Sequence, residues 1–240
     1  MGTDSYFRLE KRDHIARLTL NRPDKRNAMD MACFDTLRAH FQALDADPEV
    51  RVVVLDAEGK SFTAGLDLIA ASGLLGNAGA DGREALRLKV LELQAAMDAA
   101  EICRKPVIAA VHSHCIGGGV DLLSACDIRL ATQDAVFSIR ETRMAMIADL
   151  GTLQRLPHII GQGWFRELAL TGRDFTAAEA LQMGFVTRVL PDKAALLTAA
   201  MDLAAEIAAL PPLTVQGVKE VANFSRDHGT IAGRQYVAQK

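Results

Sequence analysis

The fold is decided by the strand-like stretch Val107-Ile108-Ala109-Ala110-Val111 and by the glycine-rich run Ile116-Gly117-Gly118-Gly119-Val120-Asp121-Leu122 that follows it. A shift of 54 residues places these segments on Val53-Val54-Leu55 and on Ala64-Gly65-Leu66-Asp67-Leu68. Each copy has the pattern of an apolar strand, a turn, and a small residue and an acid where a helix begins. We therefore expect two structurally equivalent strand-to-helix junctions that lie one layer apart.

The two junctions allow two interpretations. The backbone N–H groups of Ala64 and Gly118 have little or no side chain to shield them, and helix N-termini present unpaired donors. Two such donors that converge on one point would stabilise a developing oxyanion. Alternatively, both junctions only pack tightly, and Asp67 and Asp121 complement the dipoles of their helices. The repeat alone leaves both interpretations open.

Strand and helix patterns alternate along the chain, which indicates the α/β class. Strand patterns lie at 14–20, 50–55, 107–111, 128–132, 135–139 and 186–190, and helix patterns lie at 31–44, 84–103, 150–170 (with a break near 157–163) and 177–183. The strands at 128–132 and 135–139 are predicted to form a hairpin, because only a short turn separates them. We predict a core domain over 1–192 and a helical C-terminal region over 193–240 that serves oligomerisation.

Length, composition and charge exclude several classes of protein. The chain has 240 residues and a formal net charge of −3, so the basic surface that nucleic acids or anionic membranes require is missing. The four cysteines have no paired spacing, which favours reduced thiols. No apolar run approaches the roughly 20 residues of a membrane-spanning helix. We expect a cytoplasmic protein.

The glycine run and the histidines do not match common cofactor or nucleophile motifs. A dinucleotide-binding fingerprint needs a third glycine where Leu122 stands, and no Walker or G-x-S-x-G motif occurs. His112, His114 and Cys115 lack a second ligand pair with zinc spacing. We therefore expect no metal, and nothing in the sequence marks Cys115 as an activated nucleophile.

Three acids are candidates for proton transfer. Asp121 opens the second junction helix, Glu141 follows a predicted strand, and Asp149 lies in an otherwise apolar stretch. Each also has a structural interpretation. Asp149 could cap the next helix, and Glu141 could form a solvated ion pair with Arg140 or Arg143.

Several motifs in order resemble the crotonase (enoyl-CoA hydratase/isomerase) superfamily over about residues 12 to 226. They are Asn21-Arg22-Pro23-Asp24-Lys25-Arg26-Asn27-Ala28-Met29, Phe62-Thr63-Ala64-Gly65-Leu66-Asp67-Leu68, Ile116-Gly117-Gly118-Gly119-Val120-Asp121-Leu122, Ala125-Cys126-Asp127-Ile128-Arg129 and Gly151-Thr152-Leu153-Gln154-Arg155-Leu156-Pro157. The resemblance implies a spiral of ββα repeats with a helical C-terminal region. It also implies assembly as trimers or dimers of trimers, and an acyl-CoA thioester as substrate.

The resemblance also implies which residues form the site. The thioester carbonyl would lie between the N–H groups of Ala64 and Gly118. The segments Arg26 to Ala28 and Ala64 to Leu68 resemble the lips that hold the CoA nucleotide, and Lys25 or Arg26 would pair with its phosphates. The candidate substrate-binding residues are Lys25, Arg26, Ala28, Gly65, Asp67, Leu68 and Gly117. CoA is part of the substrate, and no separate cofactor is expected.

The three acids are similar to those of the Δ3,5-Δ2,4-dienoyl-CoA isomerases. That reaction removes a proton from C2 and returns one at C6, and two acids at different depths could serve both carbons. We assign Glu141 to C2 and Asp149 to C6, with Asp121 as an auxiliary that tunes their pKa values. A 2-enoyl-CoA hydratase, another enoyl-CoA isomerase and a non-catalytic acyl-CoA-binding subunit are the alternatives.

Two further expectations concern the edges of the site. Members of the family commonly continue beyond the residue at which this sequence stops, so the last helix of the family fold is expected to be missing. The variable-looking loop from Ser72 to Gly82 could act as a lid over the acyl pocket.

Overall fold

The computed structural model describes residues 2–71 and 79–239, so most of the expected lid at 72–82 lies outside the described residues. The strands are β1 (Gly2–Thr3), β2 (Phe7–Arg12), β3 (Ile15–Leu20), β4 (Val52–Ala57), β5 (Val107–Val111), β6 (His114–Ile116), β7 (Ile128–Thr132), β8 (Val136–Ser138), β9 (Asp174–Thr176) and β10 (Arg188–Leu190). The helices are α1 (Met31–Ala46), α2 (Leu68–Ala71), α3 (Ala80–Ile102), α4 (Gly118–Ala125), α5 (Thr152–Thr171), α6 (Ala177–Gln182), α7 (Lys193–Ala208), α8 (Pro212–His228) and α9 (Thr230–Val237). One-turn 3₁₀ helices occupy Pro23–Lys25 and Glu141–Met144.

The strands form two sheets. The larger has the order β1-β2-β3-β4-β5-β7-β10, in which β1, β2 and β3 pair antiparallel and every later pair is parallel. The smaller has the order β6-β8-β9. The parallel strands are buried on both faces, which explains their continuous apolar sequences. The predicted α/β class is confirmed.

The repeat in the sequence is also a repeat in space. β4 and β5 are neighbours, and Val53 pairs with Val107, Val54 with Ile108 and Leu55 with Ala109. These are the pairs that a shift of 54 residues aligns. The two copies are therefore structurally equivalent, as the sequence predicted, and their strands are neighbours in one sheet.

The hairpin predicted for 128–132 and 135–139 is wrong. β7 lies between β5 and β10 in the larger sheet, so neither of its edges is free to pair with the next strand. β8 instead pairs parallel with β6 and antiparallel with β9 in the smaller sheet. The short connection therefore carries the chain from one sheet to the other, and this transfer brings Glu141 beside the glycine run.

The helical region after residue 193 does not stand apart from the sheet. Leu196, Ala200, Ala204 and Ala208 of α7 are spaced four residues apart and pack against one face of the sheet, on Val52, Val54, Ile108 and Ala110. α7 therefore belongs to the same packed body, while a role of α8 and α9 in oligomerisation stays a prediction. The break expected in α5 is confirmed at Gly161, whose backbone is not helical.

Membrane crossing was assessed helix by helix. No single helix within 2–71 and 79–239 has the length and apolar composition to span a membrane, and only α7 and α8 taken together, at a bend of 107°, meet that test.

α8 is attached to the body through a buried lysine. Nζ of Lys219 donates to the Asp127 carboxylate at 2.7 Å and to the carbonyl oxygens of Ala100 and Lys105 at 3.0 and 3.2 Å. The Lys219 side chain is only 6% exposed. Burial raises the pKa of Asp127, and the lysine partly offsets that effect.

We predict that Lys219→Met lowers the free energy of unfolding by about 3 kcal/mol, because it leaves the Asp127 carboxylate buried without its cation. Chemical denaturation measures the change. The control Lys193→Met removes an exposed lysine that lies 3.7 Å from Glu58 and should cost less than about 1 kcal/mol. Equal losses in the two variants would contradict the role of Lys219.

Candidate active site

The two strand-to-helix junctions meet directly after β4 and β5. Thr63 forms a parallel bridge with Cys115, so the shift between the copies is 52 residues there instead of the 54 found in the strands. At a shift of 52, Gly65 aligns with Gly117 and Leu66 aligns with Gly118. Both glycines have positive φ, +85° and +53°. Leu66 and Gly118 are therefore the structurally equivalent pair.

The prediction that Ala64 supplies an oxyanion donor is wrong. Its N–H already donates to the carbonyl oxygen of Arg26 at 2.9 Å. The N–H groups of Leu66 and Gly118 donate no hydrogen bond to any residue within the described ranges. A Cβ placed on Gly118 would stand 3.8 Å from the nitrogen of Leu66, so the two donors are close together. Among the described residues, Leu66 and Gly118 are two unpaired donors at these junctions, and they lie close together. Leu66 is two residues beyond the predicted Ala64, and the convergence of the donors on one point stays a prediction.

The junctions need glycine at positions 65 and 117, because other atoms lie where a Cβ would stand. A Cβ on Gly65 would stand 2.5 Å from the carbonyl oxygen of Ile116, and φ at Gly65 is unfavourable for other residues. A Cβ on Gly117 would stand 3.1 Å from Oε1 of Glu141. Backbone and carboxylate therefore approach each other directly at the glycine run.

Asp121 is almost completely buried, and it does not cap its own helix α4. Its Oδ1 accepts a hydrogen bond of 2.8 Å from the N–H of Thr152, the first residue of α5. Burial raises the pKa of Asp121 to about 6, with Thr152 opposing the shift and Asp149 adding to it. By contrast, Oδ1 of Asp67 accepts from the N–H of Ala70 in α2, so Asp67 does complement its own helix.

Glu141 begins the 3₁₀ turn after β8 and forms no salt bridge within 2–71 and 79–239. Its Oε2 is buried and accepts no hydrogen bond from the described part of the chain. Burial raises the pKa of Glu141 to about 7, and the negative charges of Asp121 and Asp149 add to the shift. The ion-pair interpretation is wrong, because Arg140 pairs with Asp174 and Arg143 donates to a backbone carbonyl.

Asp149 lies at the exposed end of the same group of acids. The N-cap of α5 is Gly151, and the first N–H of that helix donates to Asp121, so the interpretation of Asp149 as its cap is wrong. Partial burial raises the pKa of Asp149. The residue lines a largely polar cavity of about 330 Å³ together with Gln94, Arg155 and His158. The acid can therefore exchange protons with solvent.

The segments expected to hold CoA lie together beside the two donors. Met29 donates to the carbonyl of Gly65, and Asp67 donates to the carbonyl of Met29. This pairing aligns the two predicted lips, which contain the candidate residues Lys25, Arg26, Ala28, Gly65, Asp67 and Leu68. Lys25 and Arg26 are exposed and form no salt bridge within the described residues, so both cations are available to an anionic ligand. Binding of CoA by these residues stays a prediction.

The functional residue that sequence reasoning missed is Leu66. The feature of the sequence that could have identified Leu66 is the glycine before it, because Leu66 and Gly118 both follow a glycine that has positive φ in the structure. Cys115, which had a weak claim as a nucleophile, is fully buried, and burial raises the pKa of its thiol. Its thiolate is therefore disfavoured.

Comparison with known proteins agrees with this geometry. Residues 10–239 match the enoyl-CoA hydratase/isomerase family. The chain belongs to this family. Its crotonase-like fold is confirmed by a solved structure, an enoyl-CoA hydratase from Bacillus anthracis, with a TM-score of 0.90 and 31% identity over 98% of this chain and 89% of the other.

Relatives within the family are more similar in sequence. The Delta(3,5)-Delta(2,4)-dienoyl-CoA isomerase of Mus musculus, named as mitochondrial, is 47% identical over 94% of this chain and 70% of its own length. The peroxisomal enzyme of that name from Arabidopsis thaliana is 44% identical over 93% of this chain and 82% of its own length.

The raised pKa of Glu141 predicts a pH-dependent cost to stability. Because the folded protein holds this proton more tightly than the unfolded chain, the free energy of unfolding falls as pH rises from about 4.5 through about 7. Glu141→Gln removes the ionisation. We expect the variant to gain about 2 kcal/mol over the wild type at pH 8 relative to pH 5, by denaturation at both pH values. A control at the exposed Glu206, Glu206→Gln, should show no such gain, and an equal response of both variants would contradict the buried ionisation.

Proposed function

We propose that this chain is a dienoyl-CoA isomerase that converts a 3,5-dienoyl-CoA into a 2,4-dienoyl-CoA. The observation that carries the proposal is a pair of acids, Glu141 and Asp149, whose pKa values are raised and which lie within electrostatic reach of each other. Neither forms a salt bridge to any residue that the structure describes. The names of the similar mouse and Arabidopsis enzymes support the same reaction.

The thioester carbonyl oxygen is held by the N–H groups of Leu66 and Gly118 in this proposal. Removal of a proton from C2 moves negative charge onto that oxygen, and each aimed donor stabilises it by roughly 3 kcal/mol. Both donors are fixed by the backbone before substrate binds, because each follows a glycine whose conformation is set by close contacts. The stabilisation therefore needs no rearrangement during the reaction.

Glu141 acts as the base at C2. With a pKa of about 7 it is a stronger base than an ordinary carboxylate, yet a large fraction is ionised near neutral pH. The electron pair of the broken C2–H bond forms the C1–C2 double bond of a dienolate that extends to C6. In the reactive form of the pair, Glu141 is ionised and Asp149 holds a proton; Asp149 delivers this proton to C6, and the electrons shift to leave double bonds at C2 and C4.

Each turnover leaves Glu141 protonated and Asp149 ionised. The polar cavity beside Asp149 gives this acid a route to reload from solvent. Asp121 holds the N–H of Thr152 and raises the pKa of Glu141 by its charge. Solvent takes the proton from Glu141 and supplies one to Asp149 before the next turnover. The net reaction only moves double bonds, so the expectation of no separate cofactor is part of the proposal.

The oligomeric state and the cellular location of this chain stay expectations from the sequence. We keep the trimer or dimer of trimers as an expectation for this chain. Because the similar enzymes are named as mitochondrial in the mouse and peroxisomal in Arabidopsis, the cytoplasmic location also stays a prediction.

Two substrates separate the candidate functions. Purified protein is given a 3,5-dienoyl-CoA and, separately, crotonyl-CoA, and ultraviolet absorbance is followed. We expect rapid formation of the conjugated 2,4-diene and negligible hydration of crotonyl-CoA. The reverse result would identify a hydratase, and binding without turnover of either would identify a non-catalytic acyl-CoA-binding subunit.

The acid assigned to C6 is tested by Asp149→Asn. This variant should lose at least about 100-fold in kcat for the dienoyl substrate, because it cannot donate a carboxylic proton, while KM changes little. The control Asp202→Asn alters an exposed acid on α7 and should keep wild-type kinetics. Full activity of Asp149→Asn would remove Asp149 from the mechanism.

A further inference from the structure

The backbone that carries Asp149 is held at consecutive residues, by Gln94 of α3 and by Arg155 of α5. The side-chain amide of Gln94 donates to the carbonyl oxygen of Asp149 at 2.6 Å. Nη1 of Arg155 lies 3.4 Å from the carbonyl oxygen of Leu150, to which it donates. At Gly151, where φ is +119°, a Cβ would stand 1.9 Å from Nη1 of Arg155. The guanidinium therefore packs directly against the main chain that follows Asp149.

Arg155 is itself held firmly by two acids of α3. It is only 7% exposed. Its Nε donates to Glu101 at 2.7 Å, and its Nη2 donates to Asp98. Burial acts to lower the pKa of Arg155, but these carboxylates more than offset burial, so the net shift is upward. The rigid fork of a guanidinium serves all these partners at once, which a lysine cannot do.

The same glutamate extends the network to α8. Nη1 of Arg226 in α8 donates to Oε1 of Glu101, while Oε2 of Glu101 accepts from Arg155. Among the described residues, Glu101 thus bridges two arginines, one on α5 and one on α8. The continuous series runs from Arg226 through Glu101 and Arg155 to the main chain beside Asp149.

We propose that Arg155 is a positioning residue that sets where Asp149 meets C6 of the substrate, and that Arg226 on α8 sets Arg155 through Glu101. The inference rests on the proposed isomerase function. Neither arginine touches the reacting atoms. Both act through the segment from Asp149 to Gly151.

The consequence is specific to one half of the reaction. Within the described residues, Arg155 makes no hydrogen bond to Glu141, which lies on the turn after β8. The positive charge of Arg155 acts on Asp121, which in turn acts on Glu141, so a variant that keeps this charge leaves the removal of the C2 proton largely unchanged. A displaced Asp149 delivers its proton to C6 more slowly. The dienolate then returns to substrate more often, taking a proton back at C2.

The test uses Arg155→Lys, which keeps a positive charge beside Asp98 and Glu101 but lacks the fork. The 3,5-dienoyl-CoA is turned over in D₂O, and mass spectrometry gives the deuterium at C2 of recovered substrate per product formed. We expect kcat to fall about 30-fold, since a misplacement of about 1 Å costs up to 100-fold, with KM within about twofold. The exchange-to-product ratio should rise about tenfold.

Arg129→Lys is the matched control. Arg129 is also 7% exposed and donates to the carbonyl oxygens of Leu123, Cys126 and Phe185, away from Asp149. This variant should lose stability but keep the wild-type exchange-to-product ratio. A general loosening of the fold would raise the ratio in both variants, and that result would overturn the proposal.

Arg226→Gln gives an independent variant on a more exposed side chain, should Arg155→Lys fail to fold. We expect the ratio to rise about threefold in Arg226→Gln. An unchanged ratio in both variants, or in Arg226→Gln alone if Arg155→Lys does not fold, refutes the positioning role. Failure of the wild-type protein to isomerise the dienoyl substrate instead refutes the proposed function, so the two failures are distinguishable.

Discussion

Three carboxylates, Asp121, Glu141 and Asp149, lie together, and none of them forms a salt bridge within the residues that the structure describes. The rest of the structure serves to hold them there. Burial raises the pKa values of Asp121 to about 6 and of Glu141 to about 7, and each acid adds to the cost of ionising another. A group of this kind is unfavourable for stability and favourable for proton transfer near neutral pH. The hydrogen bond from Thr152 to Asp121 is the main compensation at its buried centre.

The fold meets this constraint by carrying each acid on a different element. Asp121 is fixed in α4, Glu141 follows the short strand β8, and Asp149 precedes α5. The two sheets bring these elements together, because the chain leaves the large sheet after β7 and enters the small one at β8. The backbone N–H groups of Leu66 and Gly118 lie beside the glycine run that the Glu141 carboxylate approaches.

Periodicity predicted the central strands β3, β4, β5 and β7 and the long helices α1, α3 and α5, but not β2 or the short strands β6 and β9. Continuous apolar runs identified β4 and β5, and the 54-residue repeat gave even their pairing register. The same repeat wrongly placed one donor at Ala64. The segment between β5 and the Thr63–Cys115 bridge is two residues shorter than the segment between β4 and that bridge. The error at 135–139 has a similar origin: nothing local in the sequence shows that both edges of β7 are occupied by distant strands. The site acids were found by resemblance, whereas their environments required the structure.

The claim that separate acids serve C2 and C6 is tested most directly by the origin of the proton delivered to C6. A single turnover of 3,5-dienoyl-CoA carrying two deuterium atoms at C2, in ordinary water, is analysed by NMR of the product. The two-acid account predicts hydrogen from Asp149 at C6 and loss of one deuterium from C2 to Glu141. Deuterium transferred from C2 to C6 would show that one carboxylate carries the proton across and would contradict the account.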